Sequence, residues 1–171
     1  GNLLWNLGDD DACEYLSKYI SKSLVDNGVT IYRQDFNFTP LPLWEDADKA
    51  YWNGRKGIEE NHYVTNLYRY LDTLIEVNPG LIIDNCASGG RRLDYRMYHI
   101  GVPYMCRSDY FCWQDNRPDA KQCHTYNLSQ WIPLHCTNTG STEPYTYLSA
   151  MGPGGCLCWG ITNNRKVKIA D

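Results

Sequence analysis

The feature that most constrains the fold is a recurring order of short apolar runs and helical patterns. Runs of strand length occur at 2–8, 29–34, 80–85, 101–109 and 154–161, and residues 132–136 are also predicted to be extended. Apolar residues recur at helical spacing over 12–24 and 64–75, and residues 119–131 form a third predicted helix. Because strands that alternate with helices form right-handed β-α-β units, the sequence predicts an α/β fold with parallel strands.

Polar residues at the ends of the predicted strands favour a barrel over a doubly wound sheet. Asp35, Asp84, Asp109 and Asn138 each lie at or just after such an end, and a (β/α)8 barrel assembles its site from the ends of several strands. The glycine pair in ASGGRR lacks the spacing of a dinucleotide-binding turn. Since a whole barrel needs about 250 residues, we expect residues 1–171 to form one domain, a partial (β/α)8 TIM barrel that lacks its first strands.

Charge and composition argue against several classes of function. Sixteen basic and 20 acidic residues give a net charge of −4, so a basic nucleic-acid-binding face is not expected. No apolar run reaches the roughly 18 residues of a membrane span. The eight cysteines form no C-x-x-C pair and the four histidines lack metal-ligand spacing, so we expect no metal site, mostly reduced thiols and a cytoplasmic location.

Two carboxylates are candidates for acid–base or nucleophilic chemistry. Asp35 in YRQDFN follows an apolar strand that is predicted to be buried, and Asp109 in RSDY follows another apolar strand. Arg33 and Arg107 lie two residues before them. A nearby cation keeps a carboxylate ionised, and two carboxylates can flank a glycosidic bond. The alternative is that each carboxylate is a strand-end group that accepts local backbone N–H groups.

The segment NCASGGRRLDYRM, residues 85–97, is the third candidate feature. Its small residues let the backbone approach a ligand closely, and Arg91, Arg92 and Asp94 are expected to form an ion-pair cluster behind them. The alternative is a glycine-rich turn between a strand and a solvated basic helix start.

The motifs YRQDFN, DNCASGGRRLD and RSD, in this order and spacing, resemble those of glycoside hydrolase family 36. This α-galactosidase (melibiase) family belongs to a clan of retaining (β/α)8-barrel enzymes, and the chain looks like a bacterial branch of it. The resemblance implies that Asp35 is the nucleophile and Asp109 the acid/base, and that Cys86, Ser88 and Gly89 lie against the sugar. The family's Lys-Trp pair before the nucleophile is Arg33-Gln34 here, so Arg33 is expected to hold ring hydroxyls.

The resemblance further implies hydrolysis of terminal α-galactosides by double displacement, with no metal or organic cofactor and an oligosaccharide or glycoside as partner. Asn37 and Arg107 complete the expected substrate-binding set, together with Trp44 and Trp52, which either stack on the sugar or cover the barrel rim. Two alternatives stay open: a non-hydrolytic carbohydrate-binding or vestigial barrel fragment, and a transglycosylase or hydrolase of another α-glycoside. Because a partial barrel exposes apolar strand edges, we also expect the chain to form a homo-oligomer or to be part of a longer chain. The isolated 171 residues need not be active by themselves.

Overall fold

The computed structural model describes residues 3–85, 92, 94–103, 118–126, 130, 138–139, 143–151 and 156–157. By contacts the chain divides into two compact units. Unit 1 comprises residues 1–33, 37–83 and 99–101, and unit 2 comprises residues 34–36, 84–98 and 102–171.

Helices and short strands alternate along the described residues. In chain order the elements are α1 (Asp10–Asp26), β1 (Ile31–Gln34), α2 (Leu41–Tyr51), α3 (Ile58–Val77), β2 (Ile82–Asn85), α4 (Tyr95–Ile100), β3 (Val102–Pro103), α5 (Pro118–Thr125), β4 (Asn138–Thr139), α6 (Pro144–Ala150) and β5 (Cys156–Leu157). One sheet has the strand order β1-β2-β3, and β4 pairs with β5 in a second sheet. The pairs β2/β3 and β4/β5 are parallel, which confirms the predicted mixture of helices and parallel strands.

The core of unit 1 lies between α1 and α3. The buried side chains of α3 are mostly apolar or aromatic and recur at helical spacing, and they include Leu67, Tyr70, Leu71 and Leu74. Cys13 and Leu24 of α1 are buried as well. The predicted helices at 12–24 and 64–75 are therefore confirmed, because each has an apolar stripe that the other can cover.

Polar groups tie α1 and its preceding segment to α3. The Asp9 carboxylate accepts the Ala12 N–H at 2.8 Å and so caps the start of α1. Asn66 donates through Nδ2 to the Leu7 carbonyl oxygen at 2.7 Å, and Arg69 donates through Nη2 to Asp10 Oδ1 at 2.8 Å. The hydrogen bonds from Asn66 and Arg69 lower the pKa of Asp10.

The structure corrects two predictions about strands. The predicted strand at 2–8 is wrong for residues 3–8, which form coil and a turn in which the Leu7 N–H donates to the Trp5 carbonyl oxygen at 2.9 Å. The strand at 29–34 is present over Ile31–Gln34 but is not fully buried, since Ile31 is 58% exposed. An apolar run predicts burial only if another element covers it, and within unit 1 the face that carries Ile31 is open.

The other differences concern element length. The helix predicted over 119–131 ends at Thr125, residues 132–136 lie outside the described part, and the predicted strands at 101–109 and 154–161 are described only at Val102–Pro103 and Cys156–Leu157. Residues 38–60, for which the sequence predicts no helix or strand, contain α2, which carries a proline in its first turn. Among the described helices, none combines the length and apolar character that crossing a membrane requires.

Candidate active site

Asp35 directly follows Gln34, the last residue of β1. The side chain is half-buried, and its Oδ1 accepts the N–H of Phe36 at 2.8 Å. This contact is the local backbone hydrogen bond that the alternative interpretation of the carboxylate expects. A carboxylate can accept several hydrogen bonds, so this contact is compatible with both interpretations.

The alternation of β1 places Arg33 on the same face as Ile31 and opposite to Tyr32. Tyr32 turns toward the helical core, where its hydroxyl lies 2.8 Å from the hydroxyl of Tyr70. Burial, followed by the neighbouring Tyr32, raises the pKa of Tyr70 far above the usual range. Arg33 and Asn37 are both exposed, so the described residues place these two predicted ligands where solvent reaches them.

Arg92 contacts both chain neighbours of Asp35. Its Nη1 donates to Gln34 Oε1 at 3.1 Å, and its Cζ lies 4.4 Å from the centroid of the Phe36 ring. The Asn85 side chain, buried at the end of β2, donates to the Arg92 carbonyl oxygen at 3.3 Å. The sequence singled out Arg92 only as part of an ion-pair cluster, and its contacts with Gln34 and Phe36 depend on a sequence separation that no local pattern reveals.

Asp94, the acidic member of the predicted cluster, takes part in the start of α4. Its Oδ1 accepts the N–H of Met97 at 2.9 Å, which is the capping geometry of an aspartate before a helix. Asp84, which the sequence placed at a strand end, pairs with Val102 in the register of β2 and β3.

Trp44 and Trp52 lie on and just after α2, and their described contacts are with α3. The Trp44 ring centroid is 5.3 Å from that of Tyr63, and the Trp52 ring centroid is 5.1 Å from that of His62. Trp52 Nε1 also donates to Glu59 Oε2 at 3.3 Å. Trp44 lines an open groove of about 250 Å³, and within the described residues its buried Nε1 has no hydrogen-bond partner. Both tryptophans thus have a packing role, and their stacking on a sugar stays a prediction.

A buried carboxylate that sequence reasoning missed joins α2 to α3. Asp48 is 2% exposed, and its two oxygens accept the N–H groups of Gly57 at 2.6 Å and of Glu59 at 2.8 Å. Gly57 itself offers no side chain to cap α3, so Asp48 supplies the cap from the neighbouring helix. No local pattern indicated this role, because the two N–H groups belong to residues nine and eleven positions after Asp48.

Known proteins resemble this chain in sequence and in fold. No family model matches the chain. A curated relative, α-galactosidase AgaA of Geobacillus stearothermophilus, is 26% identical over 107 residues, which cover 63% of this chain and 14% of that protein. The crystal structure of the same family 36 enzyme superposes with a TM-score of 0.65 at 19% identity, over 88% of this chain and 21% of the enzyme chain. The chain is therefore similar in sequence to this enzyme, and it shares the fold of the corresponding part of the enzyme chain.

A second solved structure has the same fold. The α-galactosidase of Lactobacillus brevis gives a TM-score of 0.64 at 16% identity, again over 88% of this chain and 21% of the other. At such identities the superposition shows a shared fold. The chain spans about a fifth of the length of these two enzyme chains.

Five of the predicted site residues lie outside the described part of the chain. These are Asp109, Arg107, Cys86, Ser88 and Gly89. Their assignment rests on the motifs alone. The described part brings together Asp35, its two chain neighbours, Arg92 and Asn85 at the ends of β1 and β2.

Proposed function

We propose that this chain carries the catalytic carboxylates of a retaining glycoside hydrolase of the α-galactosidase type. The observation that supports this most directly is the position of Asp35, which immediately follows the last residue of a strand. That position is where (β/α)8-barrel enzymes hold catalytic side chains. In the proposal Asp35 is the nucleophile and Asp109, in the RSD motif, is the general acid/base.

The proposed reaction is a double displacement. A carboxylate oxygen of Asp35 attacks the anomeric carbon while Asp109 gives its proton to the departing glycosidic oxygen. Water then attacks the glycosyl-enzyme ester as Asp109 removes a proton, which frees Asp35 and releases the sugar with its original configuration. The two carboxyl groups are expected about 5–5.5 Å apart, as this mechanism requires.

The fold that we propose for the complete site is a (β/α)8 barrel of which this chain forms a part. Strands of such a barrel are covered on both faces and are therefore apolar on both. In unit 1, Ile83 is buried, whereas Ile31 and Ile82 are 58% and 48% exposed. We assign the exposed face, which also carries Arg33, to the barrel interior.

The proposed substrates are oligosaccharides that end in an α-galactosyl group. Solved structures of the Geobacillus family 36 enzyme include complexes with raffinose and with stachyose. In this chain Arg33, Asn37 and Arg107 would donate to sugar hydroxyls, because an arginine presents a planar fork of donors. The stretch that contains Cys86, Ser88 and Gly89 would let the backbone approach the ring.

Hydrolysis of an aryl α-galactoside by the full-length protein tests the proposal. Asp35→Asn and Asp109→Asn should each lower kcat by more than about 1,000-fold, whereas Asp46→Asn, on the exposed face of α2, should leave it unchanged. Asp35→Gly should regain turnover with added azide and yield the β-galactosyl azide, since azide then attacks from the face that Asp35 occupied. Activity retained by both asparagine variants would rule out this assignment, and transfer of galactose to sucrose in place of water would favour the transglycosylase.

A further inference from the structure

We propose that Arg92 is a positioning residue that fixes the segment Gln34–Phe36 and thereby aims Asp35. This inference rests on the proposed function of Asp35 and adds a residue to it. Arg92 meets the side chain before Asp35 through a hydrogen bond of 3.1 Å and the side chain after it through a contact of 4.4 Å with the ring of Phe36. Both neighbours of the nucleophile are therefore held by one group.

The two contacts use different properties of the guanidinium group, so Arg92 can make both at the same time. Its N–H groups donate in the plane of the group, and one of them donates to the side-chain oxygen Oε1 of Gln34. The delocalised cation is attracted to the face of an aromatic ring such as Phe36. A tryptophan at position 34, as in the family pattern, has only an N–H donor and could not accept this hydrogen bond.

Arg92 can hold the segment because its own backbone is anchored. The carbonyl oxygen of Arg92 accepts a hydrogen bond from Asn85, which is 4% exposed and lies in β2. Asn85 in turn pairs with Pro103 of β3. Two residues after Arg92, Asp94 caps α4 by accepting the N–H of Met97. The backbone of Arg92 is thus anchored at its carbonyl group, and the chain is anchored again two residues later at Asp94.

The expected consequence is a loss of reactivity with little loss of binding or stability. A displacement of about 1 Å in a reacting group can cost about 100-fold in rate. Arg92→Met removes the donor and the cation but keeps the length of the side chain. Gln34→Met removes only the acceptor, and Arg92→Lys retains a cation that can lie over Phe36.

Covalent labelling of Asp35 in the full-length protein separates positioning from other roles. The probe is a galactose-configured cyclophellitol epoxide, whose ring carbon is attacked by the Asp35 carboxylate. The carbon–oxygen bond of the epoxide breaks, and the oxygen takes a proton from Asp109. We expect Arg92→Met to lower the first-order labelling rate by about 10- to 100-fold at an unchanged inhibition constant. Gln34→Met should lower the labelling rate less, and Arg92→Lys should recover part of the rate that Arg92→Met loses. Arg55 is an exposed arginine after α2, so Arg55→Met should be labelled at the wild-type rate.

The outcomes distinguish this inference from the function on which it rests. Labelling of Arg92→Met at the wild-type rate, with Asp35 modified in both, would overturn the positioning role and leave the proposed function standing. A lower rate that is matched by an equal loss in Arg55→Met, or that Arg92→Lys does not improve, would also overturn it. Wild-type protein that is not labelled at Asp35 would overturn both. Additional support comes from the double variant that combines Arg92→Met with Gln34→Met. It should be labelled no more slowly than Arg92→Met alone, because that change has already removed the donor to Gln34.

Discussion

Replacing Asp48 with alanine should open the junction between α2 and α3. The buried carboxylate accepts two backbone N–H groups, from Gly57 and Glu59, and alanine leaves both without this partner. A hydrogen bond to a charged group contributes about 1.5 kcal/mol or more, so the two together amount to about 3 kcal/mol. Asp48→Asn should recover roughly half, since its amide offers one oxygen to accept and one NH₂ that faces the second N–H.

Amide hydrogen exchange in the full-length protein measures this effect locally. A loss of about 3 kcal/mol corresponds to roughly 100-fold faster exchange in peptides that cover 54–63. Asp46→Ala is the matched control, because Asp46 lies on the same helix and pairs with Lys49 at 2.9 Å on an exposed face. Unchanged exchange in Asp48→Ala, or an equal acceleration in Asp46→Ala, would refute the argument that Asp48 caps α3.

Two further predictions concern the core of unit 1. Tyr70 keeps its proton in the folded state because burial raises its pKa far above the usual range, whereas the unfolded chain ionises near pH 10. Its contribution to stability is therefore full below pH 10 and falls above it by about 1.4 kcal/mol per pH unit. Urea midpoints measured from pH 9 to pH 12 should fall more steeply in the wild type than in Tyr70→Phe, and parallel slopes would contradict this. A Cβ added at Gly101 would lie 2.8 Å from the backbone oxygen of Ile83. Gly101→Ala should therefore lower the free energy of unfolding in urea by about 1–3 kcal/mol. An unchanged urea midpoint would contradict this, because it would mean that β2 moves aside with no loss of stability.

Part of the fold could be predicted because it depends on local patterns. The helices predicted over 12–24 and 64–75 are present as α1 and α3, because the apolar face of each helix packs against that of the other. The strand predicted at 2–8 failed, because an apolar run becomes a strand only with a hydrogen-bonding partner beside it. The predicted burial of 29–34 failed for the same kind of reason, since Ile31 has no covering element within unit 1.

The candidate site divides in a similar way. The motifs indicated Asp35 and its place at a strand end, and the structure describes it there. Arg92 had been assigned to an ion-pair cluster, and only the folded chain brings it to Gln34 and Phe36, which lie 58 and 56 residues before it. Asp48 had no assigned role, because its two partners lie across a turn that the sequence did not locate.

The sequence by itself determined the alternation of helices with parallel strands, the motifs that resemble family 36, and the type of residue at each strand end. Each of these depends on residue identity and short-range spacing, which the chain carries before it folds. Tertiary structure alone decided which carboxylates cap helices, which face of β1 is covered, and which cation holds the segment around Asp35. Those outcomes depend on contacts between residues far apart in sequence, whose energies exist only once the helices and strands have packed.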